Sequence, residues 1–212
     1  FANADNIFIG KNAGGGTWAN TASLKNIAIG TEAMDGALDE ALNNTAVGYH
    51  ALGALTEGDD NVAIGYQAGD GIATADYNTV VGASALSAGA GAGNSAFGYA
   101  ALVQNTGIYN TALGYSSMYT STGVDHCVAL GMQSLYTANE DDADGTVAIG
   151  SAAGFLYAPT GAGAATGGTT LIGYHSGYYE PGGGESAGGL TTGIQNTAVG
   201  HETLGANAGD GN

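Results

Sequence analysis

Cationic residues are almost missing from this chain. Lysine and arginine together number two, against nineteen aspartates and glutamates, so the formal net charge is −17. A surface that binds phosphate groups needs clustered cations, and we therefore expect no nucleic-acid partner and no insertion into a membrane. The imbalance suits an extracellular or high-salt setting, where counterions screen the repulsion between carboxylates. It is equally consistent with a surface that serves only solubility.

Cysteine and long apolar runs are also scarce. Cys127 is the single cysteine, which excludes an intrachain disulfide, so stability must come from stacking and assembly. No apolar run approaches the length of a membrane span, and the first residues lack the charged-then-apolar pattern of a secretion signal. Because the chain begins at Phe1 and stops at Asn212, a few residues after a repeat, we expect it to be a piece of a longer or processed protein.

The chain is rich in glycine, with forty residues, and a phrase of nine residues occurs in it eleven times. The first position of the phrase is usually Asn, the second is β-branched or small, the third is usually Ala, and the fourth is a large aliphatic residue or Phe. Gly follows at the fifth position, often Tyr at the sixth, any residue at the seventh, usually Ala or Ser at the eighth, and Leu, Met or Gly at the ninth. The fifth-position glycines, which are predicted to turn the chain, are Gly10, Gly30, Gly48, Gly65, Gly82, Gly98, Gly114, Gly131, Gly150, Gly173 and Gly200.

This repeat predicts a solenoid. The spacing of the glycines is shortest in the middle of the chain, as from Gly82 to Gly98, and longest near its end, from Gly173 to Gly200. A unit this short cannot bury an apolar face alone and must stack on its neighbours, whereas a disordered tract has no reason to keep its residues in register. We therefore predict one repeat domain over residues 1–212, an all-β parallel β-solenoid of about eleven coils.

Alternation within the phrase predicts short strands. The second and fourth positions carry β-branched and aliphatic residues, as in Val62 and Ile64, while Ala at the third must face the opposite side, where only a small side chain fits. After the glycine, the sixth to ninth residues are predicted to form a second short strand that runs back, which gives a narrow, flattened roll. The first-position amides are predicted to stack as a ladder; its members include Asn44, Asn61, Asn78, Asn94, Asn110 and Asn196.

The connectors between phrases are polar and glycine-rich. The longest internal ones are 136–145, 155–168 and 178–195. In a solenoid, insertions between repeated phrases project from one face and often form its binding surface. We therefore predict that ligand contacts lie in these three loops.

The phrase Asn-Thr-Ala-Val-Gly-Tyr-His-Ala-Leu at residues 44–52, together with its copies, resembles the head repeats of YadA-like trimeric autotransporter adhesins and, more closely, the repeats of bacteriophage tail-fibre proteins. The resemblance covers nearly the whole chain. It implies a left-handed β-roll, three identical chains side by side around one axis, and a head or shaft that attaches to a host cell. The implied partners are the other two chains and a glycan or receptor on the host surface.

Three functions remain open at this point. The adhesin heads have shorter and more regular coils than this chain, which favours a tail or virion fibre over a bacterial trimeric autotransporter-type surface adhesin, the alternative. Either function places the protein on a virion or at a cell surface. Ice binding is a third function, because stacked coils with a flat Thr array suit it; the second position supplies Thr45 and Thr79, although Ile27 and Val62 interrupt the column.

A physical argument for the homotrimer is independent of the resemblance. A thin coil with an Ala-lined interior buries too little apolar area to offset the entropy of the chain, and packing an aliphatic face against two partners supplies the missing burial. We predict that this face is either the ninth column (Leu52, Leu86, Leu102) or the fourth, whose trimer-core candidates are Val47, Ile64, Val81, Phe97 and Leu113. The sixth-position tyrosines are interpreted as packing against a neighbouring chain or loop rather than against sugars.

No catalytic constellation emerges. The repeated phrase contains no convergent acid, base or nucleophile, so we predict a protein that is not an enzyme and uses no cofactor. His126 beside Cys127 lacks the further ligands of a zinc site. The acidic stretch 139–145 is interpreted as a solvated loop, because it lacks the alternation and the distal Glu of a calcium loop; if Ca²⁺ binds there, the candidate ligands are Asp141, Asp142 and Asp144.

Overall fold

The computed structural model of the chain describes residues 5–16, 23–89, 91–138, 143–157, 168–178 and 195–204. Within these ranges the regular structure consists of thirteen short β-strands, and the predicted all-β parallel β-solenoid is confirmed. By its internal contacts the chain divides into two compact units, Phe1–Gln104 and Asn105–Asn212. Each unit is described separately.

The first unit contains six three-residue strands. They are β1 (Ile7–Ile9), β2 (Ile27–Ile29), β3 (Thr45–Val47), β4 (Val62–Ile64), β5 (Thr79–Val81) and β6 (Ser95–Phe97). Strands that follow each other in the chain pair in parallel, with equivalent phrase positions opposite one another, as Ala46 is opposite Ala63. Each strand comprises the second to fourth residues of a phrase, so one phrase contributes one strand to the sheet.

The second unit has five such strands and two shorter ones. The five are β7 (Thr111–Leu113), β8 (Val128–Leu130), β10 (Val147–Ile149), β12 (Thr170–Ile172) and β13 (Thr197–Val199), and they pair in parallel in that order. The shorter strands β9 (Thr137–Ala138) and β11 (Leu156–Tyr157) form a separate parallel pair. This second pair lies in connectors, outside the nine-residue phrase.

Glycine at the fifth position is required by the close approach of neighbouring coils. Gly48 and Gly65 both have φ of +138°, a region that L side chains rarely adopt. A Cβ added to Gly48 would overlap the backbone carbonyl of Gly65, and the nitrogen of Gly48 donates to Ile29 O at 2.8 Å. The glycine column therefore lets the chain turn while adjacent coils remain in backbone contact.

The predicted second strand was wrong. The sixth to ninth residues form a turn, in which His50 and Leu52 have φ of 54° and 50°. Coils nevertheless remain linked, since His50 N donates to Thr31 O at 3.1 Å and Leu52 N donates to Ala68 O at 3.0 Å. Side chains in the turn do not alternate as they do in a strand, because the successive residues Ala51 and Leu52 are both buried while Tyr49 is exposed.

The interior of each unit is filled by the third, eighth and ninth columns. Ala46, Ala51 and Leu52 are all fully buried. The third and ninth side chains compete for the same space: a Cβ at Gly14 would lie 2.7 Å from Phe8, and a Cβ at Gly177 would lie 2.9 Å from Leu171. The two phrases with Phe or Leu at the third position thus have Gly at the ninth, although Gly also occurs at the ninth position of the phrases that contain Ala63 and Ala148.

Candidate functional site

The first-position asparagines form a buried ladder in the first unit. The carboxamide oxygen of Asn44 accepts from Asn61 N at 2.9 Å and from Asn61 Nδ2 at 3.1 Å, and that of Asn61 accepts the same two bonds from Asn78. Asn61 Nδ2 also donates to Ala75 O at 2.8 Å. The column continues where Asn94 N donates to Asn78 Oδ1 at 2.9 Å. These amides hold coil to coil and present no group to a ligand.

In the second unit the same column is mixed. Asn110 and Asn196 are buried, and so are the replacements Cys127, Thr146 and Thr169. Cys127 N donates to Asn110 Oδ1 at 2.9 Å, and its thiol donates to the carbonyl oxygen of Ala143 at 3.1 Å. Burial raises the pKa of the Cys127 thiol to about 12. The thiol is therefore a core group and not a nucleophile.

The fourth column faces outward. In the first unit Ile64 is 42% exposed and Phe97 is 38% exposed, while Val47 and Val81 are partly exposed. In the second unit Leu113 is 52% exposed. Together with the second and sixth columns, these side chains form a surface on each unit that we call the outer face. It is mostly aliphatic and aromatic, although Thr45 and Thr79 add hydroxyls.

The ninth column faces the opposite way. Leu52, Leu86 and Leu102 are fully buried inside the first unit. They fill the core of their own chain and are not available to a second one. Of the two aliphatic columns considered from the sequence, only the fourth lies at the surface.

The sixth-position tyrosines lie on the outer face. The rings of Tyr49 and Tyr66 stack with centroids 5.4 Å apart, and Tyr99, Tyr115 and Tyr174 are about half exposed. A hydrogen bond to Glu32, together with the repulsion of its carboxylate, raises the pKa of Tyr49 above its ordinary value. The phenol is thus held in its neutral, hydrogen-bonding form.

The residue after the phrase, which we call the tenth position, joins coils of the first unit through polar contacts with a histidine. His50 Nδ1 lies 2.7 Å from Asp70 Oδ1, and His50 Nε2 lies 3.7 Å from Asp35 Oδ1. Asp35, Gly53 and Asp70 occupy the tenth position of three successive phrases, and a Cβ at Gly53 would collide with the imidazole. His50 therefore lies over the glycine, between two carboxylates, and ties three coils together.

The tenth position of the second unit is aromatic instead. Tyr119 and Tyr136 stack at 5.3 Å with 10° between their planes, Tyr136 and Phe155 at 4.9 Å, and Phe155 and Tyr178 at 5.4 Å. We call these four rings the aromatic ladder. Sequence reasoning stopped at the ninth position and missed it, although an aromatic residue follows the phrase in four successive copies.

Of the three calcium candidates, Asp144 alone lies among the described residues. Asp141 and Asp142 lie outside the described residues, as does most of loops 155–168 and 178–195. Asp144 Oδ1 accepts a hydrogen bond from Asp125 N at 2.6 Å, so this carboxylate supports the neighbouring coil. Among the described residues, no group of three or more His, Cys, Asp or Glu is arranged to hold a metal ion. Nor does any described helix have the length and apolarity to cross a bilayer.

Comparisons with known proteins give no relative. No family model matches the sequence, and neither the curated proteins nor the solved structures contain a significant match.

Proposed function

We propose that this chain is a segment of a structural and adhesive fibre, part of a bacteriophage tail or virion fibre that presents loops to a host-cell surface. The observation that carries the proposal is the apolar outer face. Most phrases bury Ala at the third position and leave a larger aliphatic or aromatic side chain exposed or partly exposed at the fourth. An exposed aliphatic column of this kind suits a chain whose outer face is covered by other chains.

The outer face supports a homotrimer. Isolated exposed apolar residues are ordinary, but soluble monomers rarely expose a contiguous apolar patch of more than a few hundred Å². Here Ile9, Ile29, Ile64 and Phe97 all belong to one column of the first unit, and each is 38–57% exposed. Two further copies around a common axis would cover this column and supply the burial that a thin coil lacks. The left-handedness of the β-roll and the number of three chains are inferred from the resemblance to trimeric fibres.

Attachment to a host surface is proposed for the parts that remain outside such a trimer. The connectors are the variable segments of the repeat, and variable loops on a rigid scaffold commonly carry recognition. With a net charge of −17, the chain suits a host glycan or receptor that is not itself polyanionic. The proposed location is accordingly the virion or the exterior of a cell.

The first test is the native mass in solution by light scattering. The expected value is three times the mass of one chain, which is 20.6 kDa. Ile64→Asp and Leu113→Asp place a charge in the fourth column and should each lower the mass or cause aggregation. Tyr77→Asp, at a side chain that is 64% exposed outside the outer face, is the matched control and should leave the mass unchanged. A wild-type mass equal to that of a single chain would refute the trimer.

A bacterial trimeric autotransporter-type adhesin is the second candidate, because the same outer face would serve it. Antibody labelling distinguishes the fibre from the adhesin, since antibodies should label virions in the first case and the bacterial envelope in the second.

For ice binding, the structure places Thr45 and Thr79 outward, but Val62 lies between them on the sheet. A thermal-hysteresis assay on the purified chain should therefore give no activity.

A further inference from the structure

The aromatic ladder of the second unit is a regular row of stacked rings at the tenth position, and one end of it adjoins Tyr174 of the outer face. Its rings are those of Tyr119, Tyr136, Phe155 and Tyr178, one per coil, with centroids 4.9–5.4 Å apart and planes 10–28° from parallel. Each ring is partly exposed. The stack continues over His175, 4.2 Å from Tyr178, which links it to Tyr174 at 3.8 Å.

The stacking geometry leaves ring surface uncovered. Aromatic carbons in contact lie about 3.5 Å apart, so centroids separated by 5.3 Å, as in Tyr119 and Tyr136, are offset sideways by about 4 Å. Such rings overlap only in part, so each ring has a portion of its face that the neighbouring ring does not cover. A ladder of this kind offers one aromatic surface per coil.

The spacing of these surfaces selects an extended ligand with a matching repeat. Successive rings are separated by one coil, and a pyranose unit in an extended polysaccharide has a comparable length. The axial C–H groups of a pyranose form an apolar patch that packs on an aromatic face and removes apolar area from water. Hydroxyls adjoin the ladder as well, since Thr120 Oγ1 and Thr137 Oγ1 lie 2.8 Å apart and follow directly after Tyr119 and Tyr136.

Charge narrows the class of polysaccharide. The two lysines, Lys11 and Lys25, both lie in the first unit and the chain has no arginine, so the ladder has no Lys or Arg in its own unit to pair with a uronate or sulfate. The net charge of −17 further disfavours an acidic chain. An uncharged polysaccharide needs no cationic partner and is not repelled by the negative charge of the chain.

We propose that the aromatic ladder binds an extended, uncharged β-linked polysaccharide along the direction of coil stacking, with one pyranose on each ring. This inference rests on the proposed attachment function and names the chemistry that attachment would recognise. The tenth column of the first unit has no aromatic residue, since it holds Gly15, Asp35, Gly53, Asp70, Ser87 and Val103; the stacked pair Tyr49 and Tyr66 belongs to the sixth column.

The test is affinity electrophoresis of the native protein in gels containing hydroxyethyl cellulose, mixed-linkage β-glucan or polygalacturonate. The wild type should be retarded by a neutral β-glucan and not by polygalacturonate. Tyr136→Leu, which keeps the apolar volume but removes the ring, should weaken retardation by roughly three- to tenfold, and Tyr136→Phe should restore it. Tyr109→Leu, at a 57% exposed ring outside the ladder, should behave as wild type.

Circular dichroism and the native mass separate misfolding from lost binding. A folded Tyr136→Leu protein that is retarded as strongly as the wild type overturns the proposal, as does retention by polygalacturonate alone or by no polysaccharide. The mass distinguishes the two proposals: a trimer without β-glucan binding overturns the ladder inference and leaves the fibre standing. A monomer that binds β-glucan through Tyr136 supports the ladder and overturns the trimeric fibre.

Discussion

At the scale of single residues, backbone conformation decides which positions tolerate a side chain. Gly65 and Gly123 both have positive φ, +138° and +70°. They differ in their surroundings: a Cβ at Gly65 would lie 2.7 Å from the carbonyl oxygen of Gly82, whereas nothing lies within 4 Å of a Cβ at Gly123. They also differ in conformation, because φ near +70° lies in the left-handed region that Asn12, Tyr77 and other residues of this chain adopt, whereas φ near +138° is rarely adopted by L residues.

We predict that Gly65→Ala destabilises the fold by about 3 kcal/mol or more, because backbone strain and a clash with the next coil combine. Gly123→Ala should cost about 1 kcal/mol, the strain alone. Urea denaturation followed by circular dichroism measures both free energies of unfolding. Equal losses in the two variants would contradict the combined cost of φ and coil contact that is assigned to Gly65.

Cys127 gives a second prediction at this scale. Because desolvation raises its pKa to about 12, the native thiol should not react with iodoacetamide at pH 8 and should react fully in denaturant. An unfolded thiol loses its proton near its usual pKa, so the stability due to a neutral Cys127 is complete below about pH 8.5 and falls as the pH rises toward 12. Cys127→Ser should lack this alkaline loss. Rapid labelling of the native protein would refute the prediction.

At the scale of one phrase, the strand and the turn pack their side chains into one small core. The third side chain, on the strand, and the ninth, in the turn, occupy the same part of the core. The first phrase solves it with Phe8 and Gly14, and the third phrase with Ala46 and Leu52. A left-handed φ at the ninth position, 50° at Leu52, makes Gly acceptable there.

A double-mutant cycle tests this exchange of volume. Ala46→Leu should destabilise the protein by about 2 kcal/mol through overpacking, and Leu52→Gly by about 3 kcal/mol through the cavity that it leaves. The double variant reproduces the large-small order of Phe8 and Gly14 and should lose at least about 2 kcal/mol less than the sum of the single losses. Thermal or urea unfolding of the four proteins provides the measurement. Strict additivity would show that the two side chains do not share a space.

At the scale of the whole molecule, charge opposes the proposed assembly. Each chain carries a net charge of −17, and association of three chains brings these charges together. The screening length grows from about 8 Å at 0.15 M salt to about 30 Å at 0.01 M. Apolar contact in the fourth column must therefore outweigh a repulsion that depends on salt.

We predict that the trimer dissociates more readily at low ionic strength. Sedimentation at a fixed low protein concentration should show a smaller trimeric fraction in about 10 mM than in about 150 mM NaCl. An equal osmolarity of sucrose in the low-salt buffer is the control and should not restore the trimer as salt does. A trimer favoured by low salt would mean that ion pairs, not apolar contacts, hold the chains.

The sequence by itself determined the class of the fold. Eleven copies of one phrase dictate stacked coils, since no copy can bury its apolar residues alone. Alternation around Ala63 and Ala112 located the strands. The fifth-position glycines marked the turns, because only glycine meets both the φ and the contact required there.

Only the tertiary structure decided what the turn is and which columns face out. A stretch such as Tyr-x-Ala-Leu is compatible with a strand or with a turn that contains left-handed residues, and the difference lies in φ at positions such as His50 and Leu52. Both the fourth and the ninth columns contain aliphatic residues, and their burial depends on the direction of the chain after the glycine. The aromatic ladder from Tyr119 to Tyr178 also depends on the tertiary structure. Its rings are a whole coil apart in sequence and become neighbours only when the coils stack.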